Sequence, residues 1–364
     1  MRRFKCYSRG TAGAAAAVCL LSSCSGAGGP SAAPSATPTP VISFPAVATG
    51  SRAASTAAAS SAPAKATASA HAAGAAVCSI FPADNVWHAA VASLPVSSHS
   101  AGYVAAIGAS SHLHPDFGSG LIDGEPFGIP VTVVKTSVPA VQIRFDYADE
   151  SDPGPYRIPA SALVENGSTS SGDRHVIVFD QSDCYSYELW DATRRQNGSW
   201  TAGSGAAFNL RSNQLRPAGW TSADAAGLSV LAGLVQYDEV ASGRIDHALR
   251  ITVPKTADAY LWPARHSAGS SGSSLPPMGL RLRLKADVDI SGLPPEARVI
   301  AQALKTYGAI VADNGSAWYI SGTQDSRWDN DQLDALKQFT GADFEAVDAS
   351  SLEVSAGSGQ AAGG

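Results

Sequence analysis

The stretch Gly172 to Asp191, GDRHVIVFDQSDCYSYELWD, constrains this chain more than any other. It reads as two β-strands, Arg174 to Asp180 and Tyr185 to Asp191, joined by a polar turn of Gln181, Ser182 and Asp183. If Asp180 pairs with Tyr185, the two-residue period of a strand sorts the side chains onto two faces. Val176 and Val178 then lie opposite Leu189 and Tyr187 on a core face. The other face sets His175 opposite Trp190 and Ile177 opposite Glu188. A histidine, a carboxylate and an indole on one face of a hairpin form a candidate site.

The chain begins with the layout of an export signal. Met1 to Leu21 opens on Arg2, Arg3, Lys5 and Arg9 and runs into the apolar stretch Ala14 to Leu21, too short to span a bilayer. Leu21-Ser22-Ser23-Cys24 follows and resembles a bacterial lipobox. That resemblance implies loss of residues 1–23 and lipidation of Cys24 as the mature N-terminus. Cys19 fits less well, because Ala16 sits where the pattern wants leucine; an ordinary secretory signal with a chance cysteine is the plainer alternative. Residues 24–76 are dominated by Ala, Ser, Pro, Thr and Gly. Such a segment buries too little apolar surface to offset its ordering entropy, so a disordered tether is expected. No later run is apolar enough for a transmembrane helix. The expected location is the outer face of the cell membrane, as a lipoprotein, or the medium.

Setting aside Cys6, Cys19 and Cys24 leaves Cys78 and Cys184. A lone pair in an oxidising compartment predicts a disulfide rather than thiol chemistry. It would staple the start of the domain to the turn of the opening hairpin. The net charge of −6 argues against general nucleic-acid binding.

Residues 77–349 are expected to form a single β-rich globular domain, a β-sandwich or jelly-roll-like fold with two or three peripheral helices, and residues 350–364 a flexible tail. Helical stripes are read at Tyr103 to Ile107, Pro295 to Tyr307 and Asn330 to Phe339. A further helix is expected after Trp220, with Thr221 or Ser222 as N-cap, Asp224 in its first turn and packing through Val235. In Gly243 to Val253 the alternation puts His247 in an apolar row, as a core histidine, and turns Asp246 and Arg250 the other way. Leu280 to Val288 alternates with Arg281, Arg283 and Lys285 outward. Asn314-Gly315 is the strongest short hairpin signal, between Ala309 to Asp313 and Ser316 to Ser321.

Two stretches invite a metal reading. His112-Leu113-His114-Pro115-Asp116 holds ligand-type residues without a third ligand at fixed spacing, so no metal site is assigned to it. Asp146 to Tyr156 clusters carboxylates before two prolines, which admits a structural calcium, the one cofactor the pattern allows, although a solvated acidic turn explains it as well.

An exported β-rich domain with Trp, Tyr, Asp, Glu and Arg in polar loops is expected to meet a polysaccharide or cell-envelope glycan. As an enzyme it would be a glycoside hydrolase or a polysaccharide lyase. Glu188, His175, Glu150 and Asp152 are the catalytic candidates. Trp190, Arg250, Trp262, Arg265 and His266 are the substrate-binding candidates. The alternative is a non-catalytic glycan-binding or envelope interaction lipoprotein, in which the same residues serve only as contacts. Besides the glycan, the expected partner is the membrane, through the lipid anchor, and the expected state is a monomer. No GxSxG elbow and no Gly-rich phosphate loop is present.

The segments DPGPY, GDRH, YELW, GWTSADAAG, IDHALR, PARH, PPMG and DNGSAWYISG together resemble a type of exported bacterial protein of unassigned activity. The resemblance covers most of Cys78 to Asp348 and implies no catalytic residues. The chain is also loosely similar to secreted β-sandwich carbohydrate-active proteins.

Overall fold

A computed structural model describes residues 78–363 apart from positions 123 and 273. The export signal, Cys24 and the tether lie outside the described residues. The chain is mostly β, with a few short helices.

The opening hairpin forms as strands Val176–Asp180 and Tyr185–Trp190, with Asp180 opposite Tyr185, Ile177 opposite Glu188 and Val176 opposite Leu189. Its turn is closed locally: Asp180 Oδ1 accepts from the Ser182 amide at 2.9 Å, the Asp183 amide at 3.2 Å and the Ser182 hydroxyl at 2.6 Å. Cys184 is bonded to Cys78, so the turn also anchors the first described residue. Closing a loop of that length restricts the unfolded chain by about 4–5 kcal/mol on an entropic account. Ser204–Asn209 extends the sheet on one side, antiparallel to Tyr185–Trp190, and Val131–Val134 on the other, parallel to Val176–Asp180.

A larger mixed sheet has the order His114–Pro115, Tyr319–Ile320, Leu249–Val253, Ala309–Asn314, Arg281–Leu284, Phe344–Val347. A three-stranded sheet (Ile143–Phe145, Trp200–Ala202, Thr193–Arg194) and a two-stranded one (Leu121–Ile122, Glu125–Pro126) complete the strands.

The hairpin separates two cores, and this decides its fate. Val176, Val178, Tyr187 and Leu189 pack with Tyr156, Ile158, Trp200 and Ala202. Ile177 and Phe179 face the main core, which holds Leu249, Ile251, Leu282, Ile310 and Val311 of the larger sheet. Fully burying each such aliphatic side chain contributes about 1.5–3 kcal/mol. Both faces of the hairpin are therefore covered.

Pro295–Thr306 is the longest helix, with Pro at its first turn, Glu296 near its positive end and Lys305 near its negative end. It buries Ala297, Ile300, Ala301, Ala303 and Leu304. Gly308 follows at φ 68°, where a Cβ would lie 2.2 Å from the Leu282 carbonyl oxygen. Only glycine fits there.

Several expectations are corrected. Ala309–Asn314 and Tyr319–Ile320 are not a hairpin, because Leu249–Val253 is inserted between them and pairs with both. Arg281 and Arg283 do not face solvent. The N-terminal segment covers them, and they donate to backbone carbonyls of Val86 at 2.7 Å and Val91 at 2.6 Å. Burial alone lowers Arg281 to about 9. Between Trp220 and Val235 only Val230–Gly233 is helical, with Ser229 as N-cap. The residues before it are held in turns by Ser222, whose hydroxyl accepts from the Asp224 amide at 2.9 Å. The segment expected as a flexible tail is bound instead: Leu352 and Ala361 are buried, and the Val86 amide donates to Gly359 at 2.7 Å.

No helix among the described residues is long and apolar enough to cross a membrane.

Candidate functional site

Glu188 sits on the hairpin face that points into the main core, fully buried. The short helix Val230–Gly233 docks over it. Oε1 accepts from the Ser186 hydroxyl at 2.7 Å and the Ser229 hydroxyl at 2.6 Å, and Oε2 from the Val230 amide at 2.7 Å. The Leu231 amide approaches at 3.3 Å. The carboxyl thus supplies the acceptors that the helix start lacks. Burial raises its proton affinity, and the hydrogen bonds hold it back. Its lone pairs are used and no path to solvent is left, so Glu188 is placed as a fastening.

His175 lies beside it on the same face, also buried. Nδ1 faces Glu165 Oε2 at 2.6 Å and Nε2 faces the Ala223 carbonyl at 3.2 Å. Both partners are acceptors, so the ring is satisfied when both nitrogens carry protons. Burial works against that charge, but the Glu165 carboxylate outweighs it and lifts His175 to about 9. Burial also acts to raise Glu165, whose carboxyl the imidazolium nevertheless holds below its usual range.

Arg250 comes from the larger sheet and is 4 % exposed. Its guanidinium grips Asp224 in bidentate fashion, with Nε to Oδ2 at 3.0 Å, and donates to the Ser321 hydroxyl. Asp224, read from sequence as a capping residue, is thus the buried counter-ion of Arg250. Asp313 Oδ2 stands 3.7 Å from the same guanidinium. A slip in strand pairing puts it there. Ile251 pairs with Val311, but Thr252 pairs with Asp313, so Ala312 is bulged out. Cross-strand partners share a face, and the bulge therefore turns Asp313 to the side of Arg250.

Asp116 approaches from the edge of that sheet. Its amide donates to the Ile320 carbonyl at 2.8 Å, and its neighbours Pro115 and Phe117 are buried. The carboxyl itself faces solvent and has no hydrogen-bond donor among the described residues. Asp173 completes the group from the hairpin side, where its Oδ1 accepts from Trp190 Nε1 at 3.3 Å. Trp190 lies so flat on Gly203 that a Cβ there would be 2.3 Å from the ring. The Tyr147 ring is 6.4 Å away, centroid to centroid.

Asp116 and Asp313 share Arg250 and Asp173 as electrostatic neighbours. Asp116 is open to solvent and Asp313 keeps 24 % of its side chain exposed. Protein nevertheless crowds both, and Asp116, Asp173, Arg250 and Asp313 together form the candidate crevice. Burial first, then repulsion from Glu165, raises Asp116 to about 6 despite Arg250. Burial first, then repulsion from Asp224, pushes Asp313 well above the carboxylate range, because Asp224 already takes most of the Arg250 charge. Arg174, between Asp173 and His175, has φ 47°; Asp191, after Trp190, has φ 53°; Asn166, after Glu165, has φ 55°. Non-glycine residues in this region carry strain, and these three adjoin His175, Trp190 and Glu165 in sequence.

Of the residues expected at a site, the structure brings together His175, Arg250 and Trp190. Glu150 and Asp152 are engaged elsewhere. Asp152 Oδ2 pairs with Arg216 and accepts from the Ala207 amide at 2.9 Å. Glu150 Oε2 is 3.6 Å from His266 Nε2, and His266 Nδ1 faces the Ala225 carbonyl at 2.8 Å. Trp262 Nε1 donates to the Ser358 carbonyl at 2.8 Å and Arg265 Nη1 to that of Ala356 at 2.6 Å. These five therefore fasten loops and the C-terminal segment. Asp116 was legible only as part of a histidine-rich loop. Asp313 was hidden in a turn signal, and Glu165 and Asp173 carried no pattern of their own. His114, Asp116's neighbour, stacks on Tyr319 at 4.2 Å. Among the described residues no group of three or more His, Cys, Asp or Glu is arranged to hold a metal ion.

Compared with known proteins, the chain matches no family model, no curated protein and no solved structure. The functional argument therefore rests on geometry.

Proposed function

We propose that this chain hydrolyses glycosidic bonds of a polysaccharide outside the cell, tethered through a lipidated Cys24. The observation that carries the reading is the pair of crevice carboxyls whose proton affinities are set apart: Asp116 near 6 and Asp313 well above it. At neutral pH the first is ionised and the second holds its proton, the division of labour that glycoside hydrolysis needs. Asp313 would protonate the leaving oxygen. Asp116 would act on the opposite side, as base toward water or as nucleophile. Trp190 and Tyr147 stand at the rim, and Asp173 offers an acceptor for sugar hydroxyls.

Hydrolysis is favoured over elimination by the charge of the crevice. A lyase must neutralise a uronate, but Arg250 is already bound to Asp224 and His175 to Glu165. The carboxylates that remain would repel an acidic sugar. The β-sandwich reading of the fold belongs to the same proposal, supported by the one core that the two larger sheets share. Parallel pairs, such as Leu249–Val253 with Ala309–Asn314, set it apart from an antiparallel jelly roll.

The test is a panel of neutral and uronate polysaccharides, scored for new reducing ends and for unsaturated uronates. Reducing ends alone, lost in Asp313→Asn and Asp116→Asn, support the proposal. Unsaturated uronates would show elimination instead, and binding without turnover would make the chain a glycan-binding protein.

A further inference from the structure

A second cleft, of about 440 Å³, lies along the N-terminal segment, and none of the crevice residues lines it. That volume falls within the range of small-molecule sites. One wall is apolar, made of Ile80, Phe81, Ala83 and Ala232. The other carries Glu239, Arg244, Asp246 and His247.

The frame is rigid. His88 pins the N-terminal segment to the opposite side, with Nε2 facing the Ile80 carbonyl at 2.9 Å and Nδ1 that of Asp246 at 3.0 Å. His247 is buried, and its Nε2 faces Glu239 Oε2 at 3.1 Å. The charged groups at the mouth are less committed. Arg244 and Asp246 are 72 % and 56 % exposed and come no closer than 3.7 Å. Neither side chain makes a hydrogen bond among the described residues, and Oε1 of Glu239 has no donor there.

We propose that this cleft binds a zwitterionic, peptide-like ligand: its carboxylate on Arg244, its ammonium between Asp246 and Glu239, and an apolar side chain against Ile80, Phe81 and Ala232. A cation and two anions with unspent hydrogen-bonding capacity match both ends of such a molecule. A neutral sugar is matched less well, because it carries neither of the opposite charges that Arg244 and the pair Asp246 and Glu239 would meet. The proposal does not depend on the glycosidase reading.

Calorimetric titration of the full chain with the dipeptide Leu-Leu, with N-acetyl-Leu-Leu-amide and with cellobiose tests it. Saturable binding of Leu-Leu is expected, with at least ~tenfold weaker binding of the blocked dipeptide and the same loss in Arg244→Ala, since each end contributes a charge-assisted contact. The exposed helix substitution Arg298→Ala should change nothing. Absence of saturable Leu-Leu binding overturns the proposal, as does equal binding of the blocked dipeptide, indifference to Arg244→Ala, or tighter binding of cellobiose.

Discussion

Glu188 and Asp313 are both acidic side chains that burial makes reluctant to ionise, yet their surroundings differ in two respects. Glu188 has donors on both oxygens and no opening. Asp313 accepts one amide hydrogen bond, from Asn314 at 2.7 Å, and faces Arg250 at longer range with part of its surface exposed. Burial alone therefore does not mark a functional acid. Spare lone pairs and an open side do, because a reacting group must exchange a proton with something outside the protein.

The widest separation between the two should come from substitution by the amide. Asp313→Asn is expected to lower kcat by about 10²–10⁴ while leaving the urea midpoint unchanged or raised, since a crowded carboxyl is replaced by a neutral group. A protein that unfolds instead would make Asp313 a structural residue like Glu188. Conversely, Glu188→Ala strands the Ser229 hydroxyl and the Val230 amide and should cost about 3 kcal/mol or more of stability. Retention of the wild-type midpoint would break the contrast from the other side.

The pH dependence sharpens it. Activity should rise as pH climbs through about 6, where Asp116 ionises, and fall at higher pH as Asp313 loses its proton. Stability should involve a further pair. His175 is lifted from 6.5 to about 9, so its contribution is complete below 6.5 and is lost as pH rises through 9. Glu165 is lowered from 4.5, so its contribution is present above 4.5 and is lost as pH falls below that. Asp116 and Asp313, both raised from 3.8, act the other way and lower stability as pH climbs above that value. The melting temperature should therefore decline on both sides of about pH 4.5, and His175→Gln should shrink the part of the decline that lies above 6.5. The smallest effect expected is from Trp190→Ala, which removes an indole at the rim and should raise KM by up to about tenfold with little change in kcat.

The register of the hairpin was legible to the residue, because strand alternation and a short polar turn fix it locally, although the strands themselves are shorter than expected, Val176–Asp180 and Tyr185–Trp190. Its burial on both sides was not, because that depends on Tyr156 and Trp200 arriving from one direction and Leu249 from the other. The same cause hid Arg281 and Arg283: alternation says which residues share a face, never what covers it. Asp313 was misread for a second reason. Asn314-Gly315 does turn the chain, but a strand from residues 249–253 enters the gap, and the bulge at Ala312 then moves Asp313 to the other face. Nothing in a local pattern records an insertion or a slip of that kind. Asp224 shows the converse, since a residue that suits a helix start was claimed by an arginine 26 positions away.

The contact between the Val86 amide and Gly359, with the bridge between Asn85 and Gln360, joins the two ends of the described chain. A ribosome releases a chain from its N-terminus, so the segment that covers Arg281 and Arg283 must wait for residues near 360 before its last hydrogen bonds form. Closure of the N-terminal segment therefore depends on residues near 360. A truncation after Asp348 would keep every residue of the crevice but remove the backbone partners of Asn85 and Val86.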